Sequence, residues 1–342
     1  MTIHVDERPL APARAPLISR LLRATGPSTG AIAGIVVLCI ALGFTQPIFF
    51  TVGNFTNLIS ANSAVLILAV GTTFVLLSGG LDLSVVAAGA ASGVAFCLML
   101  QSGFDALPAV LATLIIGCLF GALNGVLINF GRIPFLVVTL GTASVFASLA
   151  LVVSDGKTIN VFDIAGFQPI YSFMLGSALG VPLLLVLDVI LVVAAVLVLK
   201  FTIFGRAVFA IGSNREAARL NGINVQMTSL LVYLISGLSA ALASLIQVGR
   251  LTGAAPTFDG TLLLTVLAAV LIGGTAYSGG EGGVLGTVIG VFFLGIIQNG
   301  LTLTNVSSFW RGAVNGAVLI LAVALGVARD RGVFRRKKLS SA

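Results

Sequence analysis

An all-α, polytopic transmembrane helical bundle of about ten spans, with broken helices and an internal pseudo-repeat, is the fold class this sequence predicts. Three observations carry it. Of 342 residues, 58% are hydrophobic and only 8% charged, with a mean hydropathy of +1.16, an apolar load that a soluble domain could not hide from water. Windows of about 18 to 22 apolar residues, the length that crosses a hydrocarbon core, recur along the chain. Glycine-rich breaks interrupt those windows at corresponding places in two halves, which is the sequence mark of transporters.

In order, the spans are 30–50, 58–78, 83–101, 107–129, 134–153, 180–199, 228–248, 262–278, 283–303 and 311–328. The eighth is short, and without it the count is nine. Residues 1–29 and 329–342 are basic tails flanking a membrane domain at 30–328. Arg14 and Arg20 among Pro and Ala resemble a signal-peptide start, but no A-x-A cleavage site follows, so the first span is expected to persist.

Orientation follows from Lys and Arg in short loops. With residues 1–29 in the cytoplasm, that side holds Arg8, Arg14, Arg20, Arg23, Arg132, Lys200, Arg206, Arg215, Arg219, Arg329, Arg331, Arg335, Arg336, Lys337 and Lys338. Lys157, Arg250 and Arg311 are left outside, a division of fifteen to three. The asymmetry also accounts for the net charge of +7. The basic tail reads as an anchor on membrane lipid, not as a nucleic-acid site.

Several chemistries are excluded. Cys39, Cys97 and Cys118 fall inside apolar spans without paired spacing, which implies neither disulfide nor metal. The one histidine, His4, sits in a polar tail, so histidine catalysis and ligation are not expected. Gly156-Lys157-Thr158 fails as a phosphate-binding loop because Leu151 stands where glycine is required. Any ATP used must therefore be bound by another subunit. No nucleophiles or carboxylates cluster as an enzyme site would need.

The one long polar interruption is 200–227, which carries Lys200, Arg206, Arg215, Glu216 and Arg219. Within it, Asn214 followed by REAARL reads as an N-cap and a short helix, with Glu216 near the positive end of the dipole. Small Ala217 and Ala218 would allow close approach, and Gly222 could end the helix with positive φ. Such a segment suits a soluble partner docking on the membrane face. The outer segment Ser154 to Leu179 is expected to fold back along the membrane surface.

An internal echo links LAVGTTFVLLSGGLDLSV (68–85) with LAAVLIGGTAYSGGEGGV (267–284). In the first, Gly79, Gly80 and a helix-capping Asp82 would make an elbow that moves during gating. Gly117, Gly121 and Gly125, and likewise Gly282, Gly286 and Gly290, recur every fourth residue and lay a smooth face for backbone approach. Asp188, near the middle of its span, is a functional candidate or a neutral packing residue hydrogen-bonded to a neighbour. Asn62, Asn124, Thr139, Thr142, Asn299 and Asn315 are neutral polar groups that suit a polyhydroxylated solute or hold helices together. Aromatics are mostly Phe, so tight sugar binding is expected on another protein. Trp310 beside Arg311 reads as an interface anchor.

Four segments together carry a resemblance: SGGLDLSV (78–85), NGVLINFGRIPFLVVTLGT (124–142), FGRAVFAIGSNREAARLNGINV (204–225), and GGTAYSGGEGGVLGTVIG (273–290) with QNGLTL (298–303). From about Asn57 to Arg329 the sequence resembles the membrane permease of bacterial ATP-binding-cassette (ABC) sugar importers of the ribose and xylose type, in the branched-chain amino acid/sugar permease superfamily. It departs from the family pattern at Thr261 to Thr265 and at Val86.

The resemblance implies a second permease copy or homologue, two cytoplasmic ATP-binding domains that hold ATP and Mg, and a periplasmic sugar-binding protein. No cofactor of its own is implied, and the place is the bacterial inner membrane with both termini cytoplasmic. It implies that Gly205, Arg206, Gly212, Asn214, Glu216, Ala217, Ala218, Arg219 and Gly222 couple to the ATPase. A translocation path or gate would draw on Asn62, Asp82, Ser84, Asn124, Phe135, Thr139, Thr142 and Asn299. The alternative is a proton-coupled secondary transporter of a small polar solute using Asp188, although such carriers hold several buried ionisable groups.

Overall fold

The structure, a computed structural model, describes residues 29–178, 180–257 and 260–307, together with 309, 310, 312–314, 316, 317, 320, 321 and 324. His4, Arg311, Asn315, both tails apart from Thr29, and much of the expected span 311–328 lie outside the described residues.

Six helices are long and apolar enough to cross a bilayer. They are α2 (Val52–Leu77), α4 (Ala106–Asn129), α5 (Phe135–Val153), α7 (Leu183–Phe201), α10 (Val225–Leu251) and α12 (Val284–Leu303). Three more expected spans coincide with shorter apolar helices. Two of these, α1 (Thr29–Thr45) and α3 (Val85–Gln101), have 17 residues each, about 25 Å of helix against a core of about 30 Å. The third, α11 (Leu262–Ile272), has only 11. Full-length helices among the described residues thus do not reach the expected count of about ten. The shortfall comes from α1, α3 and α11, each shorter than a span, and from 311–328, much of which lies outside the described residues; α2 and α11 both stop just before a glycine of positive φ.

Both stops have one hydrogen-bond pattern. After α2, Gly79 takes φ +77°, its N–H donates to Leu76 O, and Gly80 N–H reaches back to Val75 O. After α11, Gly274 takes φ +92°, its N–H donates to Leu271 O, and Thr275 N–H reaches Val270 O. A helix end packed within the protein must satisfy its last carbonyls internally, and this Schellman pattern does so at a residue that tolerates positive φ. The structural counterpart of Ser78-Gly79-Gly80 is therefore Gly273-Gly274-Thr275. The second SGG string, Ser278-Gly279-Gly280, forms a later turn, so the echo's literal alignment is corrected by five residues.

The core lies where α2, α3 and α10 meet. Phe96, Tyr233, Leu77 and Val94 are fully enclosed there. The glycine face of α4 lies against α10 as expected. A Cβ at Gly117 would meet Ala241 and the Gly237 carbonyl, and one at Gly121 would press into the Tyr233 carbonyl and come 3.0 Å from Leu234 Cα. On the opposite face of α4, Leu107, Leu111, Ile115, Leu119 and Leu123 are exposed at four-residue spacing, the lipid-facing stripe of a peripheral helix.

At one end of the bundle the segment after α5 folds back, as its composition suggests. It contains β1 (Ile159–Asn160), the helix α6 (Gln168–Leu175) and the hairpin β2 (Ser177–Ala178) and β3 (Val181–Pro182). β1 pairs with β4 (Gly253–Ala254) beyond α10, Phe167 is fully buried, and Phe162 meets Tyr171 edge-on at 5.5 Å.

The α4 to α10 crossing predicts two opposite outcomes for one kind of substitution. Gly121→Ala adds a methyl against backbone and should lower the thermal midpoint of the detergent-solubilised protein by several degrees, as overpacking by about 1–3 kcal/mol does. Gly141→Ala in α5 meets nothing within 4 Å and should leave the midpoint unchanged or raise it.

Candidate functional site

The opposite end of the bundle holds the elbow after α2, the turn after α11, and the charged segment between α7 and α10. These three meet.

Between α2 and α3 the chain makes its elbow around Asp82, which is 2% exposed. The carboxylate does not cap α3 as expected. Its Oδ1 accepts from Ser84 N–H at 2.9 Å and from Ser84 Oγ at 2.6 Å, and Oδ2 accepts from Ser236 Oγ of α10 at 2.6 Å. The contact spans only two residues because Asp82 folds the turn, and Ser84 takes the cap position without a side-chain cap bond. Asn124 of α4 donates to Ser84 Oγ at 2.7 Å, and Thr142 Oγ1 of α5 donates to Asn124 Oδ1 at 2.7 Å. One buried chain, Asp82–Ser84–Asn124–Thr142, thus ties the elbow to α4, α5 and α10. Three donors around a carboxylate with no ion pair among the described residues satisfy it by hydrogen bonds alone.

Asp82, Ser84, Asn124 and Thr142 are brought together; Asn62, Thr139, Asn299 and Phe135 are not, and Phe135 is half-buried against the hydrophobic core. Asn62 donates to Leu58 O of its own helix at 2.8 Å. Thr139 donates to Phe135 O at 2.9 Å, also within its helix. Asn299 exchanges amide bonds with Asn54 at 2.8 and 3.2 Å, clamping α12 to α2 far from Asp82. Asp188 is buried and accepts from Ser63 Oγ of α2 at 2.7 Å, the neighbouring-helix bond that the packing alternative requires. Sequence reasoning missed Ser236 and Tyr233, whose hydroxyl reaches Leu81 O at 3.4 Å. Both lie more than 150 positions from the elbow, beyond the reach of any local pattern.

The charged segment is more helical than expected. α8 (Ile203–Ser213) precedes α9 (Arg215–Leu220). Thr202 caps α8 through Gly205 N–H at 3.0 Å, and Phe204 stacks on Phe74 of α2 at 6.3 Å. Asn214 caps α9 through Ala217 N–H at 2.9 Å. Gly222, at φ +80°, ends α9 in a third Schellman pattern, with its N–H on Arg219 O and Ile223 N–H on Ala218 O.

Ala218 departs from its expected outward role. It is buried against Ile211 and Val225 and pins α9 to the body. Arg215, Glu216, Ala217 and Arg219 are exposed. So is Leu220, at 77%, an apolar tip whose signal was its place opposite Ala218 on a six-residue helix. Arg215 also donates to Asn129 Oδ1 at the end of α4 at 3.2 Å. Glu216 and Arg219 pair at 3.3 Å, both in solvent, where such a pair contributes little.

The buried chain predicts coupling. Thr142→Ala leaves the buried Asn124 Oδ1 without its donor, at about 1–3 kcal/mol, and Asn124→Ala removes two bonds while Thr142 keeps Val138 O of its own helix at 2.9 Å and Ser84 keeps Asp82. Because they interrupt one chain, the double variant should be more stable than the sum of the two losses implies, by about 0.5–3 kcal/mol in a double-mutant cycle. Strict additivity in thermal unfolding would mean that the two bonds are independent.

Residues 54–323 match the family described as Branched-chain amino acid transport system / permease component. The chain is 37% identical over 289 residues to the ribose import permease protein RbsC of Escherichia coli strain K12, covering 84% of this chain and 90% of that protein. With the ribose import permease protein RbsC of Bacillus subtilis it shares 38% identity over 299 residues, 86% and 91% of the two chains. With the D-allose transport system permease protein AlsC of Escherichia coli it shares 31% over 291 residues, 85% and 88%. No solved structure matches the chain. A match over most of the chain, together with several apolar helices of crossing length, makes this a multi-pass membrane protein that belongs to the branched-chain amino acid transport system permease component family.

Proposed function

We propose that this chain is the membrane permease subunit of an ABC importer that moves a monosaccharide of the ribose or xylose kind, or a related polyol, from periplasm to cytoplasm. The observation that carries it is α9, a capped helix pinned by Ala218 that presents Arg215, Glu216, Ala217, Arg219 and Leu220 to solvent at the end of the bundle where two broken helices meet. A short, rigid, exposed helix of this kind fits a groove on a soluble partner. Support for a sugar comes from relatives named for ribose and allose transport at 31–38% identity and from the neutral Ser84, Asn124, Thr142 and Ser236 that surround the buried Asp82.

On this reading the chain hydrolyses nothing. Two cytoplasmic ATPase domains bind ATP and Mg, a periplasmic protein binds the sugar, and a second permease completes the passage. Among the described residues, Arg132, Lys200, Arg206, Arg215 and Arg219 lie at the α9 end, and Lys157 and Arg250 at the other, which supports an inner-membrane orientation with α9 in the cytoplasm.

The test is uptake of labelled ribose and xylose into vesicles holding the permease, its ATPase and the binding protein. Uptake should need ATP, and Leu220→Asp should reduce both uptake and binding-protein-stimulated hydrolysis while leaving membrane abundance unchanged. Uptake driven by an imposed pH gradient without ATP would instead establish the proton-coupled carrier. In intact cells with the outer membrane permeabilised, cysteines replacing Lys157 and Arg250 should react with an impermeant thiol reagent and one replacing Arg215 should not. Labelling of the Arg215 variant would reverse the orientation.

A further inference from the structure

The end of α8 sits inside a contact made almost wholly of backbone. Gly280 N–H donates to the Leu77 carbonyl at 3.0 Å, which joins the turn after α11 directly to the elbow after α2. Gly212, one residue before the end of α8, lies against the same two groups. A Cβ there would press into Leu77 O and come 2.5 Å from Gly280 N. A Cβ on Gly279 would come 2.8 Å from both Gly79 Cα and Gly79 N and 3.1 Å from Gly212 Cα. Gly280 in turn abuts Ser213, with its would-be Cβ 2.8 Å from Ser213 N. Three chain segments therefore touch mainly through the backbone of Gly79, Gly212, Gly279 and Gly280, with the Ser213 hydroxyl the nearest side-chain group, beside Gly280. Two residues beyond Gly212, Asn214 caps α9.

Side chains absorb small displacements by changing rotamer, and bare backbone cannot. A shift of α8 must therefore move the elbow, the turn, or both. Room for it exists on one side. A cavity of about 600 Å³ is bounded by Phe209 of α8, Leu199 and Lys200 of α7, and Gly280, Gly282 and Gly286 after α11.

Resting on the importer reading, we infer that Gly212 is a positioning residue that carries movement of α9 into both broken helices at once, by parting the Leu77 to Gly280 contact. The two breaks are then worked by a single lever. The Asp82 chain keeps the first elbow stiff, so that it turns as a unit.

Two arms test this in vesicles containing permease, ATPase and binding protein. In the first, Gly212→Ala should lower sugar uptake per ATP hydrolysed by about tenfold or more, while Gly121→Ala, equally crowded but remote from the junction, should lower abundance and leave that ratio unchanged. An unchanged ratio for Gly212→Ala overturns the inference. The second arm does not depend on that variant folding. Ser78→Cys with Ser278→Cys, in a background of Cys39→Ala, Cys97→Ala and Cys118→Ala, is tethered by a short bis-thiosulfonate and released by reductant.

Tethering, verified by mass, should stop uptake, and reduction should restore it. Full uptake in the tethered protein, or failure of the two thiols to be bridged, overturns the inference. Absence of ATP-dependent uptake in the unmodified protein would count instead against the importer reading.

Discussion

The hydrogen bond from Gly280 N–H to the Leu77 carbonyl is the constraint on which the rest of this structure depends. A helix that stops against other segments leaves its last carbonyls without intrahelical donors, and those shielded from water must find a donor within the protein. α2 and α11 meet most of that need with their own Schellman bonds. The Leu77 carbonyl takes its donor from Gly280 in the turn that follows α11, so the end of α2 is not satisfied in isolation. The two halves of the chain are held in register by this requirement.

Close approach is the second consequence. For Gly280 to reach Leu77, the segments around 79, 212 and 279 must lie at backbone contact, which admits no Cβ. The α4 to α10 crossing uses the same device at Gly117, Gly121 and Gly237, yet there the effect is static packing of two continuous helices. At the junction the glycines sit where helices are interrupted, and an interrupted helix can rotate about its break. Location separates a packing glycine from a mechanical one.

The buried polar chain from Asp82 to Thr142 complements this. It links the elbow to α4, α5 and α10 through bonds of 2.6 to 2.7 Å between side chains, in surroundings where an unmatched group would cost several kcal/mol. The hydrogen-bonded chain lies on one side of the elbow and the close backbone contact on the other. Asn54 with Asn299, and Ser63 with Asp188, fasten α2 to α12 and α7 elsewhere, leaving α2 as the strut around which the other helices are arranged.

The sequence alone determined the membrane class, because a hydropathy this high leaves a chain no soluble option. It also determined the place of the helices between breaks, the N-cap at Asn214 and the positive φ of Gly222, since those depend on residues within one turn of each other. The tertiary structure alone decided which polar residues meet. Ser236 reaches Asp82 across 154 positions, Thr139 turns to its own helix while Thr142 reaches Asn124 as well as Val138 O of its own helix, and Ala218 faces inward because Ile211 and Val225 close over it. The echo of the two SGG strings was legible as a repeat, but their roles were not. One ends a helix and the other presses against it, and that difference arises from packing between segments that share no local pattern.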